Sequence, residues 1–270
     1  EILKAPRVAP RAGKLRASLL KDRQDLTERT EKAIKVYFRK IKSRVDGTLG
    51  RNMERSIVDV QKAFPFGADA LIPDDAEQEL AEVLYRVYTR VTRATYGRIN
   101  DSGIAGVLEW SANLPSVTSV TSTAPARAKL IHHTTHKVYQ KAIDMAMERG
   151  YSIEQLARGV PDEKFPGIRS IANETTMRAR LIARTEVMRT QNLSSLSHYK
   201  AQGFEYMRAD DVDGGKDDNY IPDGDPYGRT CAERNGQIYT AEDAALIMDH
   251  PNGTLNWEPM PRNYKPEVRV

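Results

Sequence analysis

Between Gly13 and Val45 the apolar residues Leu15, Leu19, Leu26, Ala33, Ile34, Tyr37, Phe38, Ile41 and Val45 recur every three or four positions, with charged residues between them. That is the period of one face of an α-helix. So wide a stripe needs a covering surface, and the expected cover lies outside the chain's rear half. Asp46-Gly47 is expected to end this helix. A second helix is expected over 49–64, carrying Met53, Ile57 and Val60 and closed by the breaker Phe64-Pro65-Phe66-Gly67. A third starts near Pro73, a favoured first helical residue, and runs through Leu80, Val83, Leu84, Val87 and Val91 toward Tyr96. Three such helices suit an antiparallel bundle.

From Trp110 to Ala126 the chain carries no charge and turns to Ser, Thr, Ala, Val and Pro, which reads as a linker or an extended arm. Beyond it a helix is expected over 128–149, closed by Gly150. Ser152-Ile153-Glu154-Gln155 has the form of a capping box, opening a short helix that Gly159 and Pro161 end. A long helix follows over 170–201, stopped by Gly203. The period then changes to that of short strands at 204–208, 237–239 and 254–258, with Thr240 capping a helix before the last of them. The expected fold is α+β and predominantly helical: a basic helical bundle or arm over 1–109, a linker over 110–126, and a small helical domain with a short antiparallel sheet over 127–270.

Charge is divided along the chain. Residues 1–55 hold 16 Lys or Arg against 7 Asp or Glu, whereas 205–258 hold 4 against 13. A basic front suits a polyanion such as double-stranded DNA, or an acidic protein surface. Lys14, Arg16, Lys32, Lys35, Arg39, Lys40, Lys42 and Arg44 are the candidate contacts; the plainer reading is a solvated helix face. No stretch reaches the roughly 18 apolar residues of a membrane span, and 1–10 lacks the apolar core of a secretory signal, so a reducing cytoplasm is expected. A lone cysteine, Cys231, excludes an internal disulfide.

The charges of Ala183-Arg184-Thr185-Glu186 fall in the long helix beside a buried flank marked by Ile182, Val187, Leu193 and Leu196, and so must find partners there. With Asn192, Tyr199, Gly203, Arg229-Thr230-Cys231, Gly236 and His250-Pro251-Asn252, they form an ordered set that resembles the Mu F-like family of phage head morphogenesis proteins over roughly 128–261. The resemblance implies a minor capsid protein of a tailed bacteriophage. It would be built into the virion in several copies near the portal vertex, with the portal protein, the major capsid protein and packaged DNA as partners and no membrane. Many members carry further cysteines where this chain has Arg234, Gly253 and Leu255, so the thiol cluster is absent. One thiolate and His250 fall two ligands short of a closed zinc site, and His250-Pro251-Asn252-Gly253 reads as a turn.

Other chemistry is weaker. His132 and His136 stand one helical turn apart, but His133 occupies the place of the general-base glutamate of a zinc protease helix. Seven aspartates between Asp210 and Asp225 lack calcium-loop spacing and read as a solvated loop able to meet a basic surface. Glu77-Gln78-Glu79 has the glutamate spacing of an ADP-ribosyltransferase but falls on an expected helix. Cys231 has only His250 as a base in its own subdomain. The expectation is therefore a binding protein with no catalytic residue, metal or cofactor. A non-specific DNA-binding ejection protein is the alternative, and a transferase or protease carried in the head a more distant one.

Overall fold

In a computed structural model, residues 10–55, 59–73, 75–211, 221, 224–247 and 255–266 are described. The helices are α1 (Pro10–Glu54), α2 (Val60–Ala63), α3 (Ala76–Ser102), α4 (Pro115–Thr121), α5 (Ala124–Glu148), α6 (Ile153–Arg158), α7 (Ile168–Ala201), α8 (Cys231–Arg234) and α9 (Ala241–Leu246). Three strands, β1 (Tyr206–Asp210), β2 (Ile238–Thr240) and β3 (Asn256–Pro259), form an antiparallel sheet in the order β2-β1-β3. Met207 of β1 faces Tyr239 on one side and Pro259 on the other. The fold is predominantly helical α+β, as its hydrophobic periods imply.

α1 does not stop at Asp46-Gly47. Thr48, Leu49 and Asn52 are buried and continue the stripe of Ile41 and Val45 by another two turns. That packing outweighs the roughly 1 kcal/mol that a glycine costs inside a helix. Asp46 makes an ion pair with Arg169 of α7 at 3.5 Å instead of capping a helix end. Of the second helix expected over 49–64, the first turns belong to α1 and only the single turn of α2 stands apart; Met53 is exposed, and Ile57 lies outside the described residues.

The chain divides into two compact units, neither of them continuous in sequence. One comprises Glu1–Glu28, Val87–Ser122 and Arg184–Val270, the other Arg29–Arg86 and Thr123–Ala183. In the first, Leu15 and Leu19 of α1 share one core with Ile99, Leu196, Tyr199, Phe204, Met207, Tyr239 and Trp257. In the second, Ile34, Tyr37, Phe38, Ile41, Leu49, Leu80, Leu84, Tyr139 and Ile143 are buried, and α5 packs on α2, α6 and the 3-10 turn at Gly67–Ala70. The expected need of the first helix for an outside cover is thus overturned. Of its stripe, Leu15, Leu19, Leu26, Ile34, Tyr37, Phe38, Ile41 and Val45 are all buried within the chain itself.

The uncharged segment expected as a linker holds α4, begun by Pro115 at its first turn, with Val117, Val120 and Thr121 buried. Tyr96 donates to the Ser116 hydroxyl at 2.7 Å, fixing α4 to α3. The other side of this short helix, with Thr118, Ser119 and Ser122, is exposed and uncharged. The units part near 28, 86, 122 and 183, not across 110–126 as a whole.

A continuous α1 makes Gly47 and Gly50 ordinary helical positions. A Cβ at Gly47 would meet only Arg51 Nη1 at 3.5 Å, and at Gly50 nothing within 4 Å. Gly47→Ala and Gly50→Ala should each raise the unfolding free energy by about 0.5–1 kcal/mol in urea titrations. Destabilisation by either would mean that the helix breaks there.

Candidate functional site

The quartet 183–186 is split by helical geometry. Two residues apart on an α-helix places side chains about 200° apart. Ala183 and Glu186 are buried, while Arg184 is exposed, so the expectation that both charges share the buried flank fails for the arginine. Glu186 is 1% exposed and accepts a hydrogen bond from the Tyr88 hydroxyl of α3. A carboxylate shut from water persists only with such donors.

Downstream, α7 buries the polar residues Thr190, Gln191, Asn192, Ser194, Ser195 and His198 beside the apolar Val187, Met188, Leu196 and Tyr199. The Ser194 and Ser195 hydroxyls donate to the carbonyls of Thr190 and Gln191 one turn back. Gln191 donates to the Leu19 carbonyl at 2.9 Å and accepts from Arg23 Nε at 2.7 Å. Arg23 Nη2 also donates to Asn256 Oδ1 at 3.1 Å and to the Leu255 carbonyl. One guanidinium therefore joins α1, α7 and the start of β3. Arg16, two helical turns before Arg23, pairs with Asp210 at the end of β1 at 3.1 Å.

His198 is fully buried. Its Nε2 lies 3.1 Å from Asn100 Oδ1, and its ring meets Tyr96 edge-on at 4.8 Å. Asn100 also holds both the amide and the carbonyl of Leu108 at 3.0 Å, so the histidine braces the loop after α3. Burial lowers the His198 pKa to about 4. The helix then ends where Gly203 takes φ +80°, a conformation that only glycine adopts freely, and Phe204 N–H returns to the Tyr199 carbonyl.

In the rear segment, Arg229 lies over the rings of Tyr227 and Tyr239, at 4.4 and 5.4 Å from their centres. Thr230 caps α8 reciprocally with Glu233: its hydroxyl accepts from Glu233 N–H, and the Glu233 carboxylate accepts from Thr230 N–H. These bonds hold the Glu233 carboxyl below the usual range. Cys231 is buried in the first turn, with Arg234 Nη2 at 3.6 Å from its sulfur. Arg234 is 0% exposed and donates to Asp211, its Nε at 3.1 Å. Gly236, at φ +79°, brings the chain back to the sheet through its N–H to the Ala209 carbonyl. His250, Pro251 and Asn252 lie outside the described residues, as do Asp213, Asp217, Asp218 and Asp223. The described aspartates of that run are engaged within the fold: Asp210 with Arg16, Asp211 with Arg234, Asp225 with the Tyr239 hydroxyl.

The basic residues of α1 separate into two groups. Arg16 pairs with Asp210, Lys35 with Glu31 and Lys40 with Glu79, while Arg44 reaches the Ala70 carbonyl. Lys14, Lys32, Arg39 and Lys42 are exposed and have no carboxylate partner among the described residues. His136 binds Asp69 at 2.7 Å, and half-buried His132 lies 3.3 Å from the Tyr37 hydroxyl, so the histidine pair faces two separate partners. Glu77 and Glu79 fall in the first turn of α3. Among the described residues no three of His, Cys, Asp and Glu converge as a metal would require, and no helix is long and apolar enough to cross a membrane.

No protein-family model, curated protein or solved structure matches the chain.

Sequence reasoning missed Arg23, His198 and the Arg234–Asp211 pair. None has a local signal, because their partners lie far away along the chain. A hint existed for α7, whose run of Thr, Gln, Asn and Ser is too polar for a helix flanked by core residues unless its polar groups are paired inside.

Removing Asp211 takes from the fully buried Arg234 the carboxylate that its guanidinium meets. Asp211→Ala should cost about 3–5 kcal/mol in chemical denaturation, whereas cutting the exposed Lys200–Glu242 pair should leave stability near wild type. A small loss for Asp211→Ala would show that Arg234 is hydrated. Below about pH 6.5 the unfolded chain takes a proton at His198 that the folded chain refuses until about pH 4. Stability is therefore fully present above the ordinary histidine range and falls as pH drops toward 4, by up to about 3 kcal/mol. His198→Gln should flatten that part of the pH profile; an unchanged slope would contradict the assignment.

Proposed function

We propose that the chain is a minor capsid, head morphogenesis protein of the Mu F-like kind, acting in the virion of a tailed bacteriophage by binding and not by catalysis. Its partners on this reading are the portal protein and the major capsid protein at or near the portal vertex. The support is the role of the residues that carry the resemblance. Of these, Glu186, Asn192, Tyr199, Gly203, Arg229, Thr230, Cys231 and Gly236 fall in one compact unit, as buried residues, ring-stacked cation, helix cap or turn glycine, while Ala183 falls in the other unit and Arg184 is exposed. A motif made of such roles specifies a scaffold. Arg234, at a position where members of that family hold cysteine, forms with Asp211 a buried pair beside Cys231. An ion pair there replaces thiol chemistry as the local fastening.

A second reading, a DNA-contacting ejection protein, draws on the exposed Lys32, Arg39 and Lys42, which recur at helical spacing along one side of α1.

Purified, DNA-filled heads of the phage encoding the chain should contain it at a fixed ratio to the portal protein, and deleting its gene should lower the yield of infectious particles. Heads free of the chain would refute the proposal. For the second reading, binding to mixed-sequence duplex DNA should fall steeply with salt, and joint Lys32→Glu, Arg39→Glu and Lys42→Glu substitution should abolish it. No binding at about 50 mM salt eliminates that reading.

A further inference from the structure

Within the first unit, the opening turns of α1, the end of α7 and β3 line a cavity of about 10 Å³ whose walls include Leu15, Leu19, Tyr199, Asp210, Trp257 and Glu258. Three of these side chains end in buried polar atoms with no hydrogen-bond partner among the described residues: the Tyr199 hydroxyl, the Trp257 indole Nε1 and Glu258 Oε1. Tyr199 is 0% and Trp257 4% exposed, so bulk water does not serve them. The other carboxylate oxygen of Glu258, Oε2, is held by Arg208 on the neighbouring strand, Nε at 3.0 Å, which fixes the carboxylate and leaves Oε1 unmatched. Tyr199 and Glu258 feel one another: after burial, the charge of Glu258 is the next cause raising the pKa of the phenol, which keeps it protonated.

The chemistry of the walls selects the occupant. An indole N–H can only donate, a buried phenol donates readily, and a carboxylate oxygen only accepts. A metal or ammonium ion would confront the indole N–H. An anion would confront the Glu258 carboxylate, while Arg16 and Asp210 on the wall are already paired with one another. A volume of this size holds one heavy atom. We propose that the cavity binds a single water molecule that accepts from Trp257 Nε1 and the Tyr199 hydroxyl and donates to Glu258 Oε1. With two acceptor and one donor positions filled, the water has the usual count of partners for a buried site. It joins the end of α7 to β3 beneath α1, and explains a tyrosine, not a phenylalanine, at position 199. The inference is independent of the proposed function.

A high-resolution crystal structure of the full chain should show one spherical peak within hydrogen-bonding distance of all three atoms. A dry cavity, or Tyr199 or Trp257 bonded directly to Glu258, overturns the proposal. In solution, Tyr199→Phe and Trp257→Phe each remove one of the water's donors, and the second removal should cost less than the first. The unfolding equilibrium constant of the double variant should then differ from the value expected for independent effects by roughly fivefold. Strictly additive effects would equally refute a shared water.

Discussion

Polar groups that are taken out of water must be paired, and the first unit is organised by that constraint. α7 turns a face of Glu, Thr, Gln, Asn, Ser and His inward, where an apolar helix would need only shape. Three of its side chains are matched from outside the helix: Glu186 by Tyr88, Gln191 by Leu19 and Arg23, and His198 through Nε2 by Asn100. The matches come from two other helices, α1 and α3. The helix therefore has one acceptable position, whereas a greasy one could slide or rotate at small cost.

The same constraint reorders the meaning of the charge division along the chain. A basic front and an acidic rear suggest separate partners, yet Arg16 meets Asp210, and Arg23 reaches the carbonyl of Leu255 and the side chain of Asn256. Part of the positive front thus serves the fold. What is left over for a polyanion is a shorter set on the later turns of α1, chiefly Lys32, Arg39 and Lys42, with Lys14 apart from them.

Local patterns were the legible part of the fold. The capping box at Ser152, the cap at Thr240, the glycine stops at 150 and 203 and the helical stripes all lie where short-range rules put them, because their physics involves neighbours in sequence. Tertiary burial defeated local signals in two places: α1 runs through Asp46-Gly47, and the uncharged 115–121 coils into a helix. Of the candidate site, the identity of the buried carboxylate was legible but not its partner, and Arg184 was misplaced by treating neighbours in sequence as neighbours in space. The discontinuous units could not be read from one sequence, since Leu15 and Leu19 carry no mark of the sheet they cover.

The rear of the chain is completed by its front, through Leu15 and Leu19 in the shared core. The most direct test compares residues 127–270, the domain that composition alone would delimit, with the full chain by near-ultraviolet circular dichroism and urea unfolding. Without Leu15, Leu19 and Arg23 the fragment should lack fixed aromatic packing and a cooperative transition. A fragment that unfolds cooperatively with the stability of the whole protein would contradict the interleaved architecture.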